Sequence, residues 1–184
     1  MVHDWLPRGA RMPEDASKEV AAGQRLLAAG DYKGALSRFN RAIKLDPSNA
    51  EAYLGKAEAA AALPDIEAGE IVASYQKAIE LQKEPGERAM TQTQLGAFCL
   101  REGKTELAEE CYKKAAELDP ENAPYYFSDL GIELYMAVLR GMEDEVSREE
   151  LDRARGKALT YFARALDLEP AEAARLLQSH APGN

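Results

Sequence analysis

The strongest constraint on this chain is one spacing that it writes three times: Ala-x3-aromatic-x2-Ala, then an acidic residue followed by proline. The copies are Ala35, Phe39, Ala42 and Asp46-Pro47; Ala108, Tyr112, Ala115 and Asp119-Pro120; and Ala158, Phe162, Ala165 and Glu169-Pro170. A weaker fourth copy carries Ile71, Tyr75 and Ala78, with Pro85 slightly late. Each follows a helix-period segment that holds a small residue at matching depth: Gly23, Ala57, Gly96 and Gly131. Two antiparallel helices approach closely only where a small residue receives a bulky one, so these positions read as sockets for the aromatic side chains. A glycine inside a helix costs about 1 kcal/mol relative to alanine, and close packing is what offsets it here.

The punctuation agrees with this. Gly30-Asp31-Tyr32 and Gly103-Lys104-Thr105 end one helix and start the next, glycine supplying the left-handed cap, and the prolines close each unit. A composition of 46% apolar and 30% charged residues suits helices and departs from that of a disordered chain. In the last copy Gly131 and Ala158 lie 27 residues apart, against 12 for Gly23 and Ala35, so about 15 residues are inserted. Ser147-Arg148-Glu149-Glu150 has the form of a capping box and predicts a long helix to about Leu168, with both helices of that pair overshooting by ~10 Å. Residues 171–180 read as a capping helix with Leu176 and Leu177 apolar, and residues 1–15, with Pro7, Gly9 and Pro13, read as a loose tail. The repeats fall at about 16–49, 50–85, 89–122 and 124–170, the insertion near 140–155, and one domain is the expectation for 184 residues.

This pattern resembles the tetratricopeptide repeat, whose signature of Trp-x2-Leu-Gly-x2-Tyr, Ala-x3-Phe and Pro is matched over residues 16–170. The resemblance implies an all-α, right-handed solenoid of about four antiparallel helix pairs plus the C-terminal cap. The second copy departs from the signature at Lys56, Ala60 and Ile71 and carries extra residues around Pro64, which predicts local distortion.

The resemblance also implies a concave groove lined by the first helix of each pair, where a partner peptide or helix lies. The positions that match it are Val20, Gln24 and Leu27; Leu54, Glu58 and Ala61; Met90, Thr93, Ala97 and Leu100; and Tyr125, Ser128, Ile132, Tyr135 and Met136. Ile132, Tyr135 and Met136 lie on a face offset from the Phe127, Leu130, Leu134 stripe, so that helix has two apolar faces and needs two partners; the inserted helix is one candidate cover for the second. A subset of the family clamps acidic C-terminal tails of chaperones with cationic groove residues. The matching places here hold Val20, Gln24, Gly55, Met90 and Gln94, which cannot form a charge-assisted bond to a carboxylate.

Other function classes are disfavoured. A net charge of −9 opposes diffuse attraction to nucleic acid or an anionic membrane, and the longest apolar run, Leu134 to Leu139, falls far short of the ~20 residues of a membrane span. The opening Met1-Val2-His3-Asp4-Trp5-Leu6-Pro7-Arg8 does not read as a signal peptide, and two well-separated cysteines, Cys99 and Cys111, do not read as a disulfide framework, so a cytoplasmic protein is expected. The histidines, His3 and His180, sit in opposite tails with no ligand spacing around them, and no phosphate loop or nucleophile motif occurs; no enzyme, cofactor or metal is expected. Cys99 and Cys111 read as small core residues, and Glu109-Glu110 and Glu149-Glu150 as solvated faces. Glu143-Asp144-Glu145 tips the inserted hairpin as a candidate second contact, and Trp5 is a candidate anchor on the tail. The expected function is a protein-interaction adaptor. The alternative is a small chaperone that shields an apolar client segment, and a second copy of the chain is a further candidate for the groove.

Overall fold

The computed structural model describes residues 13–141 and 147–179. Trp5, His3, His180 and the Glu143-Asp144-Glu145 tip lie outside the described residues. Among those described, every regular element is helical. The chain divides into two compact units, with the boundary between Gln82 and Lys83, where a single domain was expected. Gln82 and Glu84 are extended there (φ −66°, ψ 138° and φ −80°, ψ 129°), in the second case because the residue before Pro85 is barred from helical backbone.

The first unit holds α1 (Pro13–Ala28), α2 (Tyr32–Leu45), α3 (Ala50–Ala61) and α4 (Ala68–Leu81). The helix α1 starts inside the stretch read as tail, because Pro13 suits the first helical turn, where its missing N–H is not needed, and Glu14 and Asp15 follow at the positive end. Gly30 (φ 77°) ends α1: its N–H donates to the Leu27 carbonyl at 3.0 Å and that of Asp31 to Leu26 at 2.9 Å. Asp31 and Asn49 then cap α2 and α3, accepting from the N–H groups of Gly34 and Ala52, both at 2.9 Å. The extra residues around Pro64 form a six-residue loop, 62–67, between α3 and α4, against three residues in the α1–α2 and α5–α6 turns.

Phe39 centres this unit's core, fully buried with Val20, Ala35, Ala42, Ala52 and Ala59. A methyl added at Gly23 would lie 2.8 Å from its ring, and one at Gly55 closer still. The ring is thus held between its own hairpin and the next, where Gly55 of α3 is a second socket for it, and Ala57 is fully buried beside that site.

The second unit holds α5 (Pro85–Arg101), α6 (Thr105–Leu118), a 3-10 turn (Pro120–Asn122), α7 (Ala123–Gly141), α8 (Arg148–Leu166) and α9 (Pro170–Ser179). The α5 end repeats the first cap: Gly103 (φ 71°) donates to the Leu100 carbonyl at 3.1 Å and Lys104 to Cys99 at 2.8 Å. At the end of α8, Asp167 (φ 53°) takes the glycine's place, with Leu168 N–H donating to the Ala163 carbonyl at 3.0 Å. Tyr112 is buried on Gly96, where a methyl would lie 2.7 Å from the ring. At Gly131 an added methyl would meet backbone, 2.9 Å from Phe162 N and 3.0 Å from the Ala158 carbonyl oxygen, so α7 and α8 approach main chain to main chain. The helix α8 begins at Arg148, directly after Ser147. The insertion is shared unequally: α8 has 19 residues against 14 in α2, α4 and α6, about 7.5 Å more at 1.5 Å per residue, while α7 is only two residues longer than α5.

Candidate partner-binding face

The sockets fix which sides of α5 and α7 point inward. Leu95, Gly96 and Cys99 on α5, and Leu130, Gly131 and Leu134 on α7, are buried. The two helices run in the same register, 35 residues apart, so Met90 corresponds to Tyr125, Thr93 to Ser128 and Ala97 to Ile132. These residues lie roughly opposite the buried stripe. Met90 is 64% exposed, Tyr125 73% and Ile132 41%, high values for side chains whose burial is worth about 1.5–3 kcal/mol each. Thr93, Ala97, Ser128 and Met136 are half-buried between them, and the Thr93 hydroxyl donates to the Met90 carbonyl at 2.8 Å. Since α5 packs against α7, the two stripes lie on neighbouring helices of the second unit.

Three of the expected groove residues are interior instead. Val20 packs in the Phe39 core with Ala52 and Ala59, and Leu100 and Tyr135 are buried. For Val20 the reason is that a first helix turns one flank to the neighbouring first helix, and a 3.6-residue period does not reveal that cover. Leu27 is half-buried against the same core, and Leu54, Glu58 and Ala61 are half-buried on α3. Gln24 is exposed and its amide donates to Glu51, so this part of the first unit is polar. On α7 the second apolar face is split, Tyr135 inside and Ile132 outside.

Polar ties hold the frame of the face. The Tyr112 hydroxyl donates to Asp129 Oδ2 at 2.8 Å; burial first, and then the Asp129 charge, raise its pKa. Tyr126 donates to Asp119 at 2.7 Å, its pKa pushed up to about 12 by burial and then by that bond, while Asn122 and Tyr126 hold the Asp119 carboxyl below its usual value. Glu109 on α6 accepts from Lys157 Nζ at 2.7 Å and the Tyr161 hydroxyl at 3.2 Å on α8. Tyr161 stacks on Phe127 with centroids 6.0 Å apart, and the Arg164 guanidinium lies 5.2 Å from the Phe127 ring centre.

The remaining candidates carry no reactive arrangement. Cys99 and Cys111 are free and buried, and burial raises both thiols, Cys111 to about 12, the opposite of what a nucleophile needs. Among the described residues no three His, Cys, Asp or Glu side chains are grouped to hold a metal ion, and no helix is long and apolar enough to cross a membrane. A cleft of about 380 Å³ in the first unit is lined by Lys18, Arg41 and Lys44, but Glu19 within it pairs with Arg38 at 3.2 Å and Arg41 at 3.5 Å.

Both units are built of helical repeats, a fold class that serves protein–protein interaction. Residues 23–63 match a model described as TPR repeat and residues 91–122 one described as tetratricopeptide repeat. Tetratricopeptide repeats are thus recognised in both units of the chain. It is 34% identical over 156 residues to the DnaJ homolog subfamily C member 3 of Bos taurus, a match that covers 80% of this chain and only 26% of that much longer protein. It is 28% identical over 131 residues to the Photosystem I assembly protein Ycf3 of Synechococcus sp. (strain CC9605), covering 70% of this chain and 75% of the relative. Among solved structures it resembles MamA (TM-score 0.63, 20% identity, 89% of this chain and 82% of that one). It also resembles YrrB, described as a TPR protein with an unusual peptide-binding site (TM-score 0.52, 21% identity, 90% and 93%). Both have the same helical-pair fold.

Proposed function

We propose that this protein is an interaction adaptor that holds a segment of a partner protein against the apolar face of α5 and α7. One observation carries the reading: Met90, Tyr125 and Ile132, in register on neighbouring helices, are exposed at 64%, 73% and 41%. Large apolar side chains that form a contiguous exposed face mark interaction sites, and Tyr and Met supply adaptable contact area. The peptide-binding site of YrrB supports the same use of this fold. Leu100 and Tyr135, as interior residues, would report on folding rather than contact. The test is Tyr125→Lys with Ile132→Lys: helicity and melting temperature stay as in the parent while a co-purifying partner is lost. Retention of that partner at unchanged affinity would refute the reading.

A chaperone-like variant of the same role is favoured by the likeness to the assembly protein Ycf3. It predicts that a client aggregates when produced without this chain and stays in solution with it. Two free, buried thiols suit a reducing cytoplasm.

A further inference from the structure

The border of the apolar face is predominantly acidic. Glu87 lies one turn before Met90, Glu121 one turn before Tyr125 in the 3-10 turn that leads into α7, and Asp129 lies on the Tyr125–Ile132 stripe itself; all three are exposed. The Asp129 carboxylate remains in position through the Tyr112 hydroxyl. The described cation on these stripes is Arg101, at the far end of α5, with its guanidinium 5.9 Å from the Phe98 ring centre. The surrounding unit repeats the bias, since residues 83–184 contain 20 acidic and 13 basic side chains against 12 and 10 in residues 1–82.

Resting on the reading of this face as the binding site, we infer that its occupant is a cationic amphipathic protein segment, with apolar anchors flanked by Lys or Arg. An acidic segment would bring like charges to Glu87, Glu121 and Asp129 as its apolar side chains met Met90 and Tyr125, and like-charge juxtaposition is a main means by which interfaces reject wrong partners. A purely apolar segment would leave the acidic border unmatched. A segment with Lys or Arg at its edges satisfies both parts of the surface and is steered toward it at a distance.

Two synthetic 18-residue peptides test this, identical in their Leu and Ala positions and carrying either Lys or Glu at every polar position, titrated against the full chain. The Lys peptide should bind at least about tenfold more tightly at low salt, with the advantage shrinking as salt rises. Glu87→Gln with Glu121→Gln should reduce that advantage severalfold, and Glu102→Gln with Glu106→Gln, the same charge change away from the face, should not. Equal affinity for the two peptides, or equal loss in the two variant pairs, overturns the inference. If neither peptide binds while Met90→Ser with Tyr125→Ser still releases a natural partner, the charge inference fails and the binding face stands. If that partner is also retained, the face itself is wrongly assigned.

Discussion

The first helices of the two units are alike on the inside and opposite on the outside. Inside, Gly23 receives the Phe39 ring as Gly96 receives the Tyr112 ring, and Gly131 admits the α8 main chain at Ala158 and Phe162. Outside, the places held by Met90, Ala97, Tyr125 and Ile132 in the second unit are held by Ser17, Gln24, Glu51 and Glu58 in the first, where Gln24 and Glu51 bond each other. The fold constrains the socket and knob because a lost contact there leaves a cavity or a clash, whereas the outward positions answer only to water and partners. The same scaffold therefore carries a self-satisfied polar face in one unit and an apolar one in the other.

The largest test removes an inner knob. Phe39→Ala should cost about 3–5 kcal/mol, read by urea unfolding, because a ring enclosed by two glycines leaves a void that neither can fill. Next come the sockets. Gly131→Ala should cost about 1–3 kcal/mol, since the new methyl meets backbone that cannot rotate away, while Gly69→Ala, open within α4, should gain about 1 kcal/mol of stability. Thermal melts of the pair would separate packing glycines from incidental ones. On the outer face, Tyr125→Ser with Ile132→Ser should change stability by no more than about 0.5 kcal/mol while abolishing partner capture; a large stability loss would mean that these side chains belong to the interior.

A further test is alkaline. Cys111 keeps its proton to about 12 in the folded chain, against an ordinary value of 9.0. Its raised folded pKa adds stability that is fully present below the unfolded value and is lost as pH rises from about 9 toward 12. Cys111→Ala should flatten that slope in unfolding curves at pH 8 and 10.

The hairpins, their turns and the long eighth helix were legible because each depends on residues close in sequence: a glycine at the left-handed cap, a proline after the helix, an aromatic four places from an alanine. What was not legible depends on neighbours far along the chain. Gly55 serves Phe39 from the next hairpin, so no spacing within its own repeat announces it. Val20, Leu100 and Tyr135 share the period of true surface positions, and only packing showed them to be interior. Asp167 in place of a capping glycine, and the start of α1 at Pro13, were hidden by residue types that permit more than one conformation. The acidic border became visible only once the exposed positions were known, with Glu87 one turn before Met90 and Glu121 just ahead of Tyr125.

The main-chain contact at Gly131 has a mechanical consequence. Because α7 meets α8 at the Phe162 amide and the Ala158 carbonyl, that crossing acts as a fulcrum rather than a cushion. From Ala158 back to Arg148, α8 extends about 15 Å at 1.5 Å per residue. A tilt of a few degrees at the fulcrum therefore swings the Arg148 end of α8 by roughly an ångström.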